Sequence, residues 1–231
     1  VDACDKLFSR WETHGAEEGW GPSDALAIVA GSSQEDVITF PKSLALHAAL
    51  FQLELSDVLL VFTDTDIHML AASKKAKIAQ QLADKLPETF KHKLHVLPRD
   101  KADKDSANFA KIIEVIKGSK EGKRVGTLTK EKNAGAFAAA WQAALDGSGL
   151  ETADIQNGIS DYLAIKSAAQ LEAVKKAAAV GSEAFKKRVT SKVLDIVDVE
   201  DKKFSMSKLT EQIEDGIVKI AKDLKLDEND V

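Results

Sequence analysis

The stretch that most constrains the fold spans residues 40–75, FPKSLALHAALFQLELSDVLLVFTDTDIHMLAASKK. Leu44, Leu46, Ala48, Leu50, Phe51, Leu53 and Leu55 predict a mostly apolar helix. Val58, Leu59, Leu60, Val61 and Phe62 follow as an unbroken apolar run. After the polar Thr63-Asp64-Thr65-Asp66 comes a second run, residues 67–72. A strand with one wet face alternates apolar and polar residues, whereas a strand covered on both faces does not. The two runs therefore predict a hairpin buried on both sides. Ser73-Lys74-Lys75 closes the segment and marks its return to the surface.

The elements around this hairpin alternate. Leu7, Phe8 and Trp11 at helical spacing predict an opening helix over residues 2–20, stopped by Gly21-Pro22-Ser23. Residues 25–30, ALAIVA, read as a strand, and residues 37–40 as a short partner strand. Ser73 is placed to cap a helix reaching about residue 86, with Ile78 and Leu82 facing inward. Residues 94–97 form a strand ended by Pro98, and 99–106 a polar loop. Residues 107–117 form a helix with the stripe Phe109, Ile112, Ile113 and Ile116. A strand over 124–128 and an Ala-rich helix over 135–145, bearing Phe137 and Trp141, complete the series. Strands alternating with helices place residues 1–164 in the α/β class, as a mixed sheet flanked by helices.

From residue 165 onward the pattern is helical. Leu171, Val174, Ala178, Phe185, Val189 and Val193 predict one inward face of a helix over 168–196. Ser205 predicts the cap of a second helix, with Leu209, Ile213, Ile217 and Ile220 inward. Helices of this length need a partner surface. Residues 165–231 thus read as a separate helical region, part of whose partner surface is expected beyond residue 231. Val1 in place of an initiator Met, and the acidic 227–231, predict a piece of a longer protein. Tyr162 is expected near the junction of the two regions. Trp11, Trp20 and Trp141 are expected in core positions.

Composition narrows the partners. Lys and Arg number 32 against 37 Asp and Glu, a net charge of −5. That balance argues against duplex DNA, which selects a basic footprint, and no direct sequence-specific DNA binding is expected. It is compatible with a basic protein partner. Cys4 is the only cysteine, so no intrachain disulfide can form. No apolar run approaches the ~20 residues that cross a bilayer, so no membrane partner is expected.

Catalytic signatures are missing. His47, His68, His92 and His95 show no HxxxH or HExxH spacing, and Asp64 and Asp66 suit a turn, so all six are assigned structural roles. Cys4 has no His or carboxylate placed beside it by a motif, and no G-x-S-x-G or phosphate-binding glycine loop occurs. No cofactor or metal is expected. The best candidate for binding is Ser73, Lys74, Lys75 and Lys77, where a hydroxyl, three ammonium groups and free helix N–H groups would meet an acidic or peptide ligand.

The segment also carries a resemblance. Lys42-Ser43-x-Ala45-Leu46, then Leu55-x-Asp57 before an apolar strand, then Met69-x-Ala71-Ala72-Ser73-Lys74-Lys75, resembles the N-terminal region of the large subunit of the FACT histone chaperone. Gln52-Leu53 stands where that family more usually has Gly-Tyr. In that family the region is similar to the N-terminal lobe of aminopeptidase P and creatinase, and two such helices open a second lobe of pita-bread fold. The resemblance thus implies that residues 1–164 are the first lobe and 165–231 the helical start of a second, incomplete one. The resemblance implies a non-catalytic chaperone module in the nucleus, on chromosomes, active in transcription, replication and repair. It implies core histones as partners, a small HMG-type subunit bound through other regions, and replication factors. The family's metal ligands would lie in the second lobe, after residue 231. The alternative it leaves open is the N-terminal lobe of an active aminopeptidase P or creatinase.

Overall fold

A computed structural model of the chain describes residues 1–14, 19–32, 41–199 and 204–226. The chain divides into two compact units, Val1–Ile165 and Lys166–Val231.

The first unit is built on strands β1 (Ala25–Ala30), β2 (Val58–Phe62), β3 (Ile67–Ala71), β4 (Leu94–Pro98), β5 (Arg124–Thr127) and β6 (Glu151–Asp154). They form one sheet in the order β4-β3-β2-β1-β5-β6. β2 runs antiparallel to both β1 and β3, while β1/β5, β3/β4 and β5/β6 pair in parallel. The sheet is therefore mixed. The helices are α1 (Asp2–His14), α2 (Lys42–Phe51), α3 (Ser73–Ala83), α4 (Ser106–Lys117), α5 (Ala136–Asp146) and α6 (Gln156–Ala164).

Alternate residues of each strand feed two cores. Leu26, Ile28, Leu60, Phe62 and Met69 join Leu7, Phe8 and Trp11 of α1, Leu46 of α2 and Ile159 and Tyr162 of α6 on one face. Ala27, Val29, Leu59, Val61 and Leu70 join Phe109, Ile112 and Ile116 of α4 and Phe137 and Trp141 of α5 on the other. Every residue of β1 and β2 is buried, the outcome expected of continuous apolar runs between two helical layers. All three tryptophans are core residues: Trp11, Trp20 and Trp141 are at most 2% exposed.

Several expectations need correction. The opening helix ends by His14, and Trp20 sits in a turn against α6, where Gly158 brings its backbone so close that an added Cβ would lie 2.5 Å from the indole. β6 and α6 are additional elements. β6 has only Ala153 buried among Glu151, Thr152 and Asp154, so it shows neither the apolar run nor the alternation of a recognisable strand. Tyr162 is buried within the first unit, its hydroxyl donating to the Ala3 carbonyl at 2.9 Å. The short strand expected over 37–40 and the acidic 227–231 lie outside the described residues.

The end of α2 is instructive. It stops at Phe51 because Gln52 turns left-handed, with φ 57°, so Leu53 is exposed rather than helical. A left-handed C-terminal residue favours glycine, which has no Cβ to collide with the following carbonyl. Gln52→Gly is expected to stabilise the unit by about 0.5–1 kcal/mol. Urea denaturation would read this as a higher midpoint at unchanged slope, and a lower midpoint would contradict it.

The second unit is helical: α7 (Ala168–Ala184), a π-helical stretch (Phe185–Thr190), α8 (Ser191–Asp198) and α9 (Met206–Asp223). Ser167 caps α7 in a reciprocal box with Gln170, and Ser205 caps α9 by accepting from the Lys208 N–H. Leu209 and Ile220 are buried as expected, beside Ala184 and Ala221. The α7 stripe is not. Leu171, Val174, Phe185 and Val193 are exposed, because two packed helical arms can cover only the narrow strip between them. Arg188 takes that strip, its guanidinium lying over Gly216, where a Cβ would come within 2.9 Å of Nε.

Candidate binding groove and a histidine–aspartate cluster

The motif residues that open α2 are structural. Lys42 Nζ donates to Ser160 Oγ at 2.5 Å and to the Gln156 carbonyl, fastening α2 to α6. The Ser43 hydroxyl donates to the Glu131 carboxylate, which also accepts from the Ser43 N–H at 3.2 Å. Asp57 donates its N–H to Gly31 and sits at φ 51°, turning the chain into β2.

The exit of the hairpin is more open. β3 ends at Ala71, Ala72 is the N-cap of α3, and Ser73 is the first helical residue rather than the cap. No side chain caps this helix, so the first-turn N–H groups have no intrahelical acceptor. The buried positions of α3 are Ala76 and Ala79, and Ile78 and Leu82 are 54% and 41% exposed, opposite to expectation. The small alanines lie on the sheet because the helix approaches it closely; the larger side chains point outward.

Ser73, Lys74 and Lys75 line one wall of an open groove of about 610 Å³, faced by Arg99, Asp100, Lys101 and Ala102. Lys77 is exposed on α3 but outside the groove. Lys75 is only partly available, because its ammonium donates to the Ser56 carbonyl and hydroxyl. Lys74 is exposed.

The opposite wall is held by a buried carboxylate. Asp105 accepts from Arg99 Nε at 2.9 Å and from the Asp100 N–H at 2.8 Å, while the Arg99 guanidinium lies 4.0 Å from the Phe137 ring centre. Asp105 is 1% exposed. Position at the end of an apolar strand and the family resemblance point to Ser73, Lys74 and Lys75 but not to Arg99 and Lys101. Those arrive only because β3 and β4 end side by side, Ala71 opposite Pro98.

A second cluster lies at the other end of the same strands. Asp66, His68 and His95 each present a ligand atom, and these atoms lie within 4.8 Å of one another. Burial, then His95, lowers the His68 pKa to about 4. Burial opposes ionisation of Asp66, but the Lys93 N–H and His95 hold its carboxyl below the usual range. Burial pushes the Cys4 thiol up to about 11.

A family model for the FACT complex subunit SPT16 N-terminal lobe domain matches residues 2–158. The FACT complex subunit SPT16 of Zea mays is 29% identical over 230 residues, covering 97% of this chain and 22% of the relative. That of Dictyostelium discoideum is 28% identical, covering 83% of this chain and 18% of the relative. The solved N-terminal domain of FACT complex subunit SPT16 from Cicer arietinum (chickpea) superposes with a TM-score of 0.80 at 29% identity, over 96% of this chain and 50% of that one. The chain spans about a fifth of the length of the curated relatives it matches. With a match over residues 2–158, the chain belongs to the FACT complex subunit SPT16 N-terminal lobe family.

Proposed function

We propose that this chain is a binding module of a histone chaperone, contacting histones or other chromatin proteins during nucleosome reorganisation without turning anything over. Membership of the SPT16 N-terminal lobe family carries this reading. The whole protein would act in the nucleus, on chromosomes, in transcription, replication and repair. It would pair with a small HMG-type subunit through other regions, and replication factors are further partners. Residues 165–231 would begin a second lobe whose remainder covers the bare apolar side of α7.

The contact site is the groove between Ser73-Lys74-Lys75 and Arg99–Ala102. Its cations and uncapped helix N–H groups suit an acidic side chain or a carboxylate of a partner peptide. Lys75 and Arg99 shape the groove, so Lys74 and Lys101 are the residues to test.

Purified core histones, in each of their two natural pairings, should be titrated against the 231-residue chain at moderate salt. Lys74→Glu with Lys101→Glu is expected to weaken the bound pair about tenfold, the worth of ~1.4 kcal/mol. Failure of both pairs to bind would remove the histone reading. Tighter binding by the variant would mean that the histones meet the protein's acidic surface instead.

A further inference from the structure

We propose that Asp66, His68 and His95 bind a divalent transition-metal ion of the zinc class, tying the edge strand β4 to β3. Strand geometry makes the site. His68 is the second residue of β3 and Asp66 immediately precedes that strand, two positions earlier, close enough for its carboxylate to reach the same side. The parallel register sets His68 opposite His95, and their rings stack with centres 4.7 Å apart, 15° from parallel. A ligand atom of each imidazole and of the carboxylate thus lies within 4.8 Å of the others, and a modest turn of the stacked rings would aim both at a shared ion.

One edge of the cluster already fits an ion. His95 Nε2 and Asp66 Oδ2 are 3.4 Å apart, about the edge of a tetrahedron whose metal–ligand bonds are ~2.0–2.1 Å. Asp66 Oδ1 is already occupied by the Lys93 N–H at 3.0 Å, which fixes the carboxylate and aims Oδ2 toward the histidines. Thr65 Oγ1 also donates to Oδ2, at 3.4 Å. Exposed Lys111 of α4 opposes a cation, but from a position screened by solvent.

Two imidazoles and one carboxylate select zinc-like ions over magnesium or calcium, which take oxygen ligands. Three protein ligands leave a position for water, and the site is reachable, with His95 46% and Asp66 28% exposed at the side chain. An ion here would join a five-residue edge strand to its neighbour through side chains as well as backbone. It would raise stability by mass action, because the unfolded chain lacks the register that forms the site.

The test uses the 231-residue chain after chelator treatment and desalting. Calorimetric titration with zinc chloride is expected to show one equivalent bound with micromolar affinity, a matching rise in Tm, and no response to magnesium chloride. His95→Ala, an exposed position, and Asp66→Asn are each expected to weaken zinc at least tenfold. On the wild-type chain, zinc is expected to shift the NMR signals of the His68 and His95 rings. Absence of stoichiometric binding would overturn the site. So would ring shifts confined to other histidines, or unchanged zinc affinity in folded His95→Ala.

Discussion

Arg99→Met is expected to destabilise the first unit by about 3–5 kcal/mol, because it leaves the Asp105 carboxylate buried without its counter-charge. Asp105 is 1% exposed, and Arg99 Nε at 2.9 Å is its ionic partner. Methionine keeps a long unbranched side chain in place while removing the charge, together with the guanidinium's contact over the Phe137 ring. The double variant Arg99→Met with Asp105→Asn should recover much of the stability. Asparagine removes the charge and still offers an oxygen to the Asp100 N–H, which now lies 2.8 Å from Oδ1. Urea denaturation of the three proteins settles the matter, and a double variant no more stable than the single would show that burial of the charge is not the cost. The groove should follow, since this pair holds its Arg99–Ala102 wall.

Acidification from pH 7 to pH 4 is expected to cost the first unit on the order of 3 kcal/mol through His47 alone. His47 is fully buried, and burial lowers its pKa from 6.5 to about 4, with the nearby Lys75 charge acting the same way against the Leu55 hydrogen bond. Nδ1 lies 2.9 Å from the Leu55 carbonyl, which can only accept, so Nδ1 carries the proton. Nε2 is buried with no partner among the described residues. Between pH 6.5 and 4 the unfolded chain takes up a proton that the folded one refuses. Stability is therefore full above pH 6.5 and falls as pH drops toward 4. His47→Asn keeps a donor for Leu55 at the place of Nδ1 and removes the titration, so its urea midpoint should fall less on acidification from neutral pH. Equal falls in both proteins would exclude His47 as the cause.

The sheet and its covering helices were legible wherever a run was apolar enough to have one destination. Residues 58–62 and 67–71 could only be buried strands, and Phe109, Ile112, Ile113 and Ile116 only one helix face. Legibility failed where neighbours rather than composition decide. Ile78 and Leu82 have the spacing of a core stripe, yet Ala76 and Ala79 take the sheet side because α3 lies too close for larger residues. Leu171 and Val174 have the same spacing, and the surface they need is not supplied by α9. β6 was hidden because only Ala153 among its four residues turns inward.

The candidate sites divide in the same way. Ser73, Lys74 and Lys75 are contiguous and were visible as a motif, though their roles were not: Lys75 reaches back to Ser56, and Ser73 follows the cap. His68 and His95 are far apart in sequence, and only the β3/β4 register makes them neighbours. No local spacing encodes that. The signal available was the placement of each histidine second in its strand, useful only once the two strands are known to pair in parallel.

The central position of β1 has a consequence for synthesis. One of its edges is served by the nearby β2, but the other waits for β5, with Ala25 pairing to Val125. At ribosomal rates of about 5–20 residues per second, that edge stays bare for roughly 5–20 s while the intervening hundred residues are made. During that interval β1, β2 and β3 present a half-sheet that is apolar except at His68, with an open hydrogen-bonding rim. The nascent chain is thus most prone to self-association after the hairpin has emerged and before residue 127 has, so a ribosome stalled in that window exposes what the finished protein keeps at its centre.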